Sequence, residues 1–243
     1  MTRLKCTLIG LVICVGLVTI VGCTENNINR FVSAARENEK TEKWKKEYLI
    51  ASVELEQEIS FLEMDVTDLE IVLNKGEQPK CEILSDQEDV ETEDFFSIEE
   101  EKSGLHIKTI HTNKTSPKLK VVVYTSSLEQ MKVDMKSEDC VFVINSSLSE
   151  LNLNANNSVI SLEGEETYPI SVDIKNTVLG MKFQTVNAIF SLDVEDSMVS
   201  LPEGNSIMVS KRYQDTKKFG KGASEMDVTA KSSVIEVTGQ TAP

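Results

Sequence analysis

Residues 126–135 read Ser-Ser-Leu-Glu-Gln-Met-Lys-Val-Asp-Met, and residues 146–155 read Ser-Ser-Leu-Ser-Glu-Leu-Asn-Leu-Asn-Ala. The offset is 20, and apolar falls on apolar throughout. Carried forward, the alternating triplets are Met131/Val133/Met135, Leu151/Leu153/Ala155, Ile170/Val172/Ile174 and Phe190/Leu192/Val194. A second series interleaves with them: Val141/Val143, Ile160/Leu162, Leu179/Met181/Phe183 and Val199/Leu201. Alternation at spacing two is the signature of a half-buried strand. A true period near 20 residues points to stacked repeats rather than to a simple run of hairpins.

The expected fold is therefore all-β, a parallel β-solenoid with coils of ~20 residues. Each coil gives one short strand to each of two faces, and successive coils stack at about 4.8 Å. An antiparallel sandwich also spaces its strands by 8–12 residues. It does not make alternate strands resemble each other, and Asn-Gly and Asp-Gly hairpin turns are missing between 126 and 200. In this register Asp134, Asn154, Asp173 and Asp193 follow the central apolar position and stack on one outward face. Stacked carboxylates repel each other or recruit a cation, and calcium takes such oxygen ligands. Two readings stand: a cation ladder, or a solvated polar face countered by Lys132, Lys136 and Lys175. No other metal site and no cofactor is indicated.

The N-terminus reads as an address. Arg3 and Lys5 precede the apolar stretch Leu8–Val21 (LIGLVICVGLVTIV), which has the length of a signal-peptide core. It closes on Ile20-Val21-Gly22-Cys23, followed by the polar Thr24-Glu25-Asn26-Asn27. That ending resembles the bacterial lipoprotein signal motif, which implies diacylglycerol transfer to the Cys23 thiol and cleavage just before it. Residues 1–22 are then the lipoprotein signal peptide. The mature chain is held on the extracytoplasmic face of the cell membrane by acyl chains, each CH₂ contributing about 0.8 kcal/mol. Losing Arg3 and Lys5 takes the net charge from −15 to −17. Cys81 and Cys140 remain in the mature chain. Both lie in short apolar runs and read as free buried thiols, although export also permits a disulfide.

Residues 23–49 mix Glu and Lys without Gly or Pro and read as a polar, partly helical, lipid-anchored tether. The alternative is a helix lying on the membrane with Trp44 at the interface. From residue 50 strands take over: Phe61 to Val66, Leu69 to Leu73, Cys81 to Ile83, Leu105 to Ile107 and Lys118 to Val123. Residues 86–101 hold nine acids and no base. They lack the glycine of an EF-hand loop and read as a solvated loop. The basic stretch Lys211 to Lys221 reads as an exposed loop before the closing strands.

The Leu-Asp/Asn ladders, the turn Leu201-Pro202-Glu203-Gly204 and the closing Met226-Asp227-Val228 and Ser233-Val234-Ile235-Glu236-Val237 carry a family likeness. Over residues 50–240 the chain resembles the bacterial lipoprotein family whose domain of unknown function is called "putative adhesin" or β-strand repeat. That resemblance implies a β-helix-like fold in the cell envelope with no agreed activity. Forty acids against 25 bases argue against nucleic acid as a partner. Two histidines, no Gly-x-Ser-x-Gly elbow and no phosphate-cradling loop leave no catalytic set. The expected function is a non-enzymatic surface interaction or scaffold module, adhesin-like or tied to envelope stress. Its partners are the membrane, through the lipid, and an envelope protein or surface ligand. The alternative is a polysaccharide-active enzyme on a β-helix fold.

Overall fold

The computed structural model describes residues 47–91, 95–110 and 117–243. The signal peptide, Cys23, the tether up to residue 46 and His111 lie outside the described residues. Among the described residues the fold is all-β. The chain begins with β1 (Tyr48–Glu54), β2 (Phe61–Thr67), β3 (Leu69–Lys75), β4 (Lys80–Ser85), β5 (Phe96–Glu101), β6 (Gly104–Thr109) and β7 (Leu119–Thr125). The regular section follows as β8 (Lys132–Glu138), β9 (Val141–Ile144), β10 (Glu150–Asn156), β11 (Val159–Glu166), β12 (Ile170–Lys175) and β13 (Val178–Val186). It closes with β14 (Ala188–Glu195), β15 (Met198–Leu201), β16 (Asn205–Met208), β17 (Tyr213–Lys218), β18 (Ser224–Lys231) and β19 (Val234–Thr241).

Two mixed sheets result. One has ten strands in the order β1-β4-β7-β3-β9-β11-β13-β19-β15-β16, the other nine in the order β17-β14-β18-β12-β10-β8-β2-β6-β5. From β8 to β15 the chain alternates between the sheets at every step. All pairs in the middle of both sheets are parallel. Antiparallel pairs are confined to the flanks: β1, β4 and β5 at one end, β16 and β17 at the other. The inward rows of the two sheets form one core. Leu151, Phe142, Leu179, Phe190 and Met226 in it are fully buried. A buried aliphatic side chain of this kind contributes about 1.5–3 kcal/mol.

The corner from the nine-stranded to the ten-stranded sheet repeats one backbone device. Asp68, Asp139, Asn157, Asn176, Asp196 and Ser232 all have φ between 47° and 56°. Asp and Asn tolerate this left-handed region better than most residues because their short side chains bond locally. The residue after each corner of the regular section is Cys140, Ser158, Thr177, Ser197 or Ser233. Each of the four hydroxyls donates back to a carbonyl two residues earlier, at 2.6–2.9 Å. Each also accepts a backbone N–H from the next coil. Cys140 N–H goes to Ser158 Oγ (3.2 Å), Ser158 N–H to Thr177 Oγ1 (3.3 Å), Thr177 N–H to Ser233 Oγ (3.2 Å) and Ser233 N–H to Ser197 Oγ (3.1 Å). This hydroxyl ladder satisfies backbone donors at a buried bend that no sheet pairing reaches.

Five expectations are corrected. The sheets are mixed, so a uniformly parallel solenoid is not what forms. The β18–β19 pair wedges between β12–β13 and β14–β15, so stacking order departs from chain order at the C-terminal end. The first coil is two residues out of the expected register: Val133 pairs with Leu151 and Met135 with Leu153. A 3₁₀ turn at Leu128–Gln130 pulls Met131 into the corner, where its N–H bonds Leu128 O at 2.9 Å. In β9 the inward pair is Phe142/Ile144, with Val141 and Val143 outward, since a one-residue shift exchanges the faces. Two supposed loops also contain edge strands, β5 within the acidic stretch and β17 within the basic one. Cys81 and Cys140 are free and buried, and burial pushes their thiols up to about 12 and about 11.

Thr177→Val keeps the shape and removes the hydroxyl that receives Ser158 N–H. Urea denaturation should show a loss of about 1–3 kcal/mol, the cost of a buried orphan donor. An unchanged midpoint would mean the ladder contributes nothing.

Asp139 is raised above the ordinary carboxylate range, first by burial and then by the charges of Glu138 and Asp68. A raised folded-state value means that stability falls as pH rises through it. Asp139→Asn removes that penalty and suits the left-handed corner, as Asn157 and Asn176 do. The variant should melt above wild type at neutral pH, and the difference should close below about pH 4, where the wild-type carboxyl is protonated. Thermal melts across this range decide it.

Candidate interaction face

The outward face of the nine-stranded sheet carries a groove of ≈ 440 Å³ running across β2, β8, β10, β12 and β18. Its polar lining comes from two neighbouring rows. One row is Glu63–Asp134–Asn152–Ser171–Asp227, each paired with the next across the sheet. The other is Asp65–Lys136–Asn154–Asp173–Thr229. The alternation that sends Leu151, Leu153 and Ala155 into the core sends Asn152 and Asn154 outward, which is why two amides sit in the middle of the face.

Several of these groups hold one another. Asn152 Nδ2 donates to Asp134 Oδ1 at 2.6 Å and to Glu150 Oε1 at 2.9 Å. Lys132 Nζ lies 3.1 Å from Glu150 Oε1 and 3.9 Å from Asp134 Oδ2. Glu150 is lowered from the ordinary carboxylate value, first by the Asn152 bond and then by Lys132. Beside the groove, His106 Nδ1 lies 3.0 Å from Glu63 Oε2. The face thus offers fixed amides, hydroxyls and carboxylates over a flat, twisted support. Chemically this suits hydrogen bonding to an extended polar ligand such as a glycan or an extended peptide.

Asp134, Asn154, Asp173 and Asp193, which one of the two readings stacks as a ladder, do not form a single row. Asn154 and Asp173 are direct neighbours. Asp134 belongs to the adjacent row, opposite Asn152, because of the two-residue register difference in the first coil. Asp193 is removed from Asp173 by Thr229, since β18 lies between β12 and β14. Asp193 is also engaged: Arg212 Nε donates to its Oδ1 at 2.8 Å and Gln214 Nε2 to its Oδ2 at 2.9 Å. The Arg212 bond, followed by Gln214, brings its carboxyl down to about 2. Among the described residues no group of three or more His, Cys, Asp or Glu is arranged to hold a metal ion.

Sequence reasoning missed the Asn152–Ser171–Asp227 row and the contribution of β18. A signal was present: Met226-Asp227-Val228-Thr229-Ala230 has the same inward-outward pattern as Ile170-Ser171-Val172-Asp173-Ile174, and the two strands pair along their length.

No protein-family model matches the chain, and no curated protein matches it. Among solved structures it is similar to a "putative cell adhesion protein" from Clostridium sporogenes, at 10% identity over 79% of this chain and 98% of that one, with a TM-score of 0.41. It is also similar to a "putative adhesin" from Bacteroides fragilis, at 8% identity over 80% of this chain and 98% of that one, TM-score 0.37. A third is a "putative lipid binding protein" from Parabacteroides distasonis, at 10% identity over 80% and 95%, TM-score 0.31.

Proposed function

We propose that this chain is a non-enzymatic cell-envelope lipoprotein. Cys23 carries the lipid and holds it at the extracytoplasmic face of the membrane, and residues 23–49 set the β domain off the surface. We read the domain as a β-solenoid core of stacked two-strand coils, closed at its ends by antiparallel strands. Its business end is the outward face of the nine-stranded sheet, which takes an extended polar surface ligand or envelope partner. The observation that carries this reading is the five-strand groove, whose central amide and carboxylates are fixed by mutual hydrogen bonds. Such pre-ordering lowers the cost of immobilising groups on binding.

Cys23→Ser tests the anchor. The variant should accumulate as a larger, unacylated precursor, seen as a mass difference and as loss of label from a radioactive fatty acid. Identical mass and label in wild type and variant would refute lipidation at this position.

Asn154→Arg tests the face by placing a long cation in the middle of the groove while leaving the core untouched. Ligand binding by the full chain in detergent, measured against arrayed glycans and extended peptides, should fall at least tenfold. Ser161→Arg, on the outward face of the other sheet, should leave it unchanged. Equal loss in both variants would remove the groove from the reading, and turnover of a bound glycan would replace it with the enzyme.

A further inference from the structure

The two edges of the ten-stranded sheet carry matching side chains in the same rows. Among the described residues β1 forms one edge and β16 the other. Strand-to-strand pairing leads from Leu49, opposite Leu84, through Glu70 and Val178 to Met198 and ends on Met208. The next row joins Ala51 to Ile207 and the next Ser52 to Ser206, traced through the same pairings. Leu49 and Met208, 58% and 56% exposed, are the most exposed of the large apolar side chains among the described residues.

Direction matches as well. β1 runs antiparallel to β4, which runs antiparallel to β7, whereas β16 runs antiparallel to β15. A second copy displaced along the stack, without rotation, therefore meets β1 with an antiparallel β16. Addition of a strand to an open edge in this way extends the backbone ladder.

The nine-stranded sheet adds charge of the right sign. Its β5 edge bears Glu99, Glu100 and Glu101, all exposed, with Glu100 Oε1 accepting Glu56 N–H at 2.9 Å. Its β17 edge bears Lys217, which holds Asp215 of the same strand at 2.8 Å, and the exposed Lys218, so the net charge there is positive by one. Glu100 and Lys217 lie in one row, with Glu101 and Lys218 beside them. The ten-stranded sheet reaches one strand further at the β1 end, so between stacked copies these charges face each other across about 10 Å, two strand spacings. That is about one Debye length at 0.1 M salt.

We propose that this chain assembles with itself end to end, β1 of one copy pairing with β16 of the next. Leu49 then packs against Met208, and the acidic edge of one copy faces the basic edge of its neighbour. Head-to-tail contacts of this type leave a free edge at each end and so build chains or rings rather than closed dimers. The charge on β5 and β17, beside the apolar β1 and β16, disfavours pairing with an edge that lacks the complementary charge.

The test uses the full chain in its own membrane. In an antiparallel pair, opposed Cβ atoms lie about 4.5–5.5 Å apart, close enough for a disulfide to form with slight adjustment. Under a mild oxidant, Leu49→Cys/Met208→Cys should give a ladder of dimers, trimers and longer species that a reductant collapses. Each single variant should stay at the wild-type background. Adding Glu101→Lys to the double variant should weaken the ladder about twofold at low salt, and Lys218→Glu on top should restore it. A double variant that stays at background overturns the proposal. So does a single variant that dimerises as well as the double, since that places like edges together. A ladder indifferent to both charge changes removes the role assigned to β5 and β17.

Discussion

The corner hydroxyl ladder is the constraint on which the stack depends. A parallel coil must turn the chain sharply between two sheets while keeping its backbone polar groups satisfied. At each regular corner here, one residue enters the left-handed region and the next supplies a side chain that both donates and accepts. The chain of bonds from Cys140 through Ser158, Thr177 and Ser233 to Ser197 ties together the coils β8–β9, β10–β11, β12–β13, β18–β19 and β14–β15 at the corner. The five regular corners share a small residue, Cys140, Ser158, Thr177, Ser197 or Ser233, directly after an Asp, Asn or Ser in the left-handed region, whereas the Asp68 corner is followed by Leu69.

The same corner explains what was legible in the sequence. All-β class, alternation between two faces and a period near 20 follow from apolar spacing, and the inward rows at Leu151, Ile170 and Phe190 came out as expected. Register in the first coil did not, because apolar Met131 fits the alternation yet sits in a 3₁₀ turn. Val141 and Val143 misled for a related reason. β9 is apolar on both faces, so periodicity cannot choose between Val141/Val143 and Phe142/Ile144. The better guide was the corner itself: Asp139-Cys140, Asn157-Ser158, Asn176-Thr177, Asp196-Ser197 and Ser232-Ser233 align the coils without reference to hydrophobicity. Edge strands β5 and β17 were illegible because charge protects edges, and charged stretches read as loops.

The candidate face was half visible. Asn154 and Asp173 were placed together correctly, but Asp134 and Asp193 were drawn in by a register and a stacking order that do not hold. Stacking order could not be recovered from spacing, since spacing records where strands fall along the chain and says nothing of which strand a late segment will join. The insertion of β18 between β12 and β14 depends on matching inward rows, Ile170 to Met226 and Met226 to Phe190, that are interchangeable by size and polarity.

That insertion also ties the groove to completion of the chain. Asp227 and Thr229 line it from β18, which follows β14 to β17 in the chain yet lies between β12 and β14 in the sheet. Without β18 and β19, the β14–β15 pair has no parallel neighbour, and both inner rows beside it would face water. Coils β8 to β13 can meet in chain order through local contacts, the kind that close quickly. The last coil closes by a long-range contact, with Ser224 Oγ donating to Thr167 O at 2.8 Å across 57 residues. The polar face is completed by the segment that also fills the core between β12–β13 and β14–β15. The geometry of the polar face and the closure of the core here rest on the same two strands.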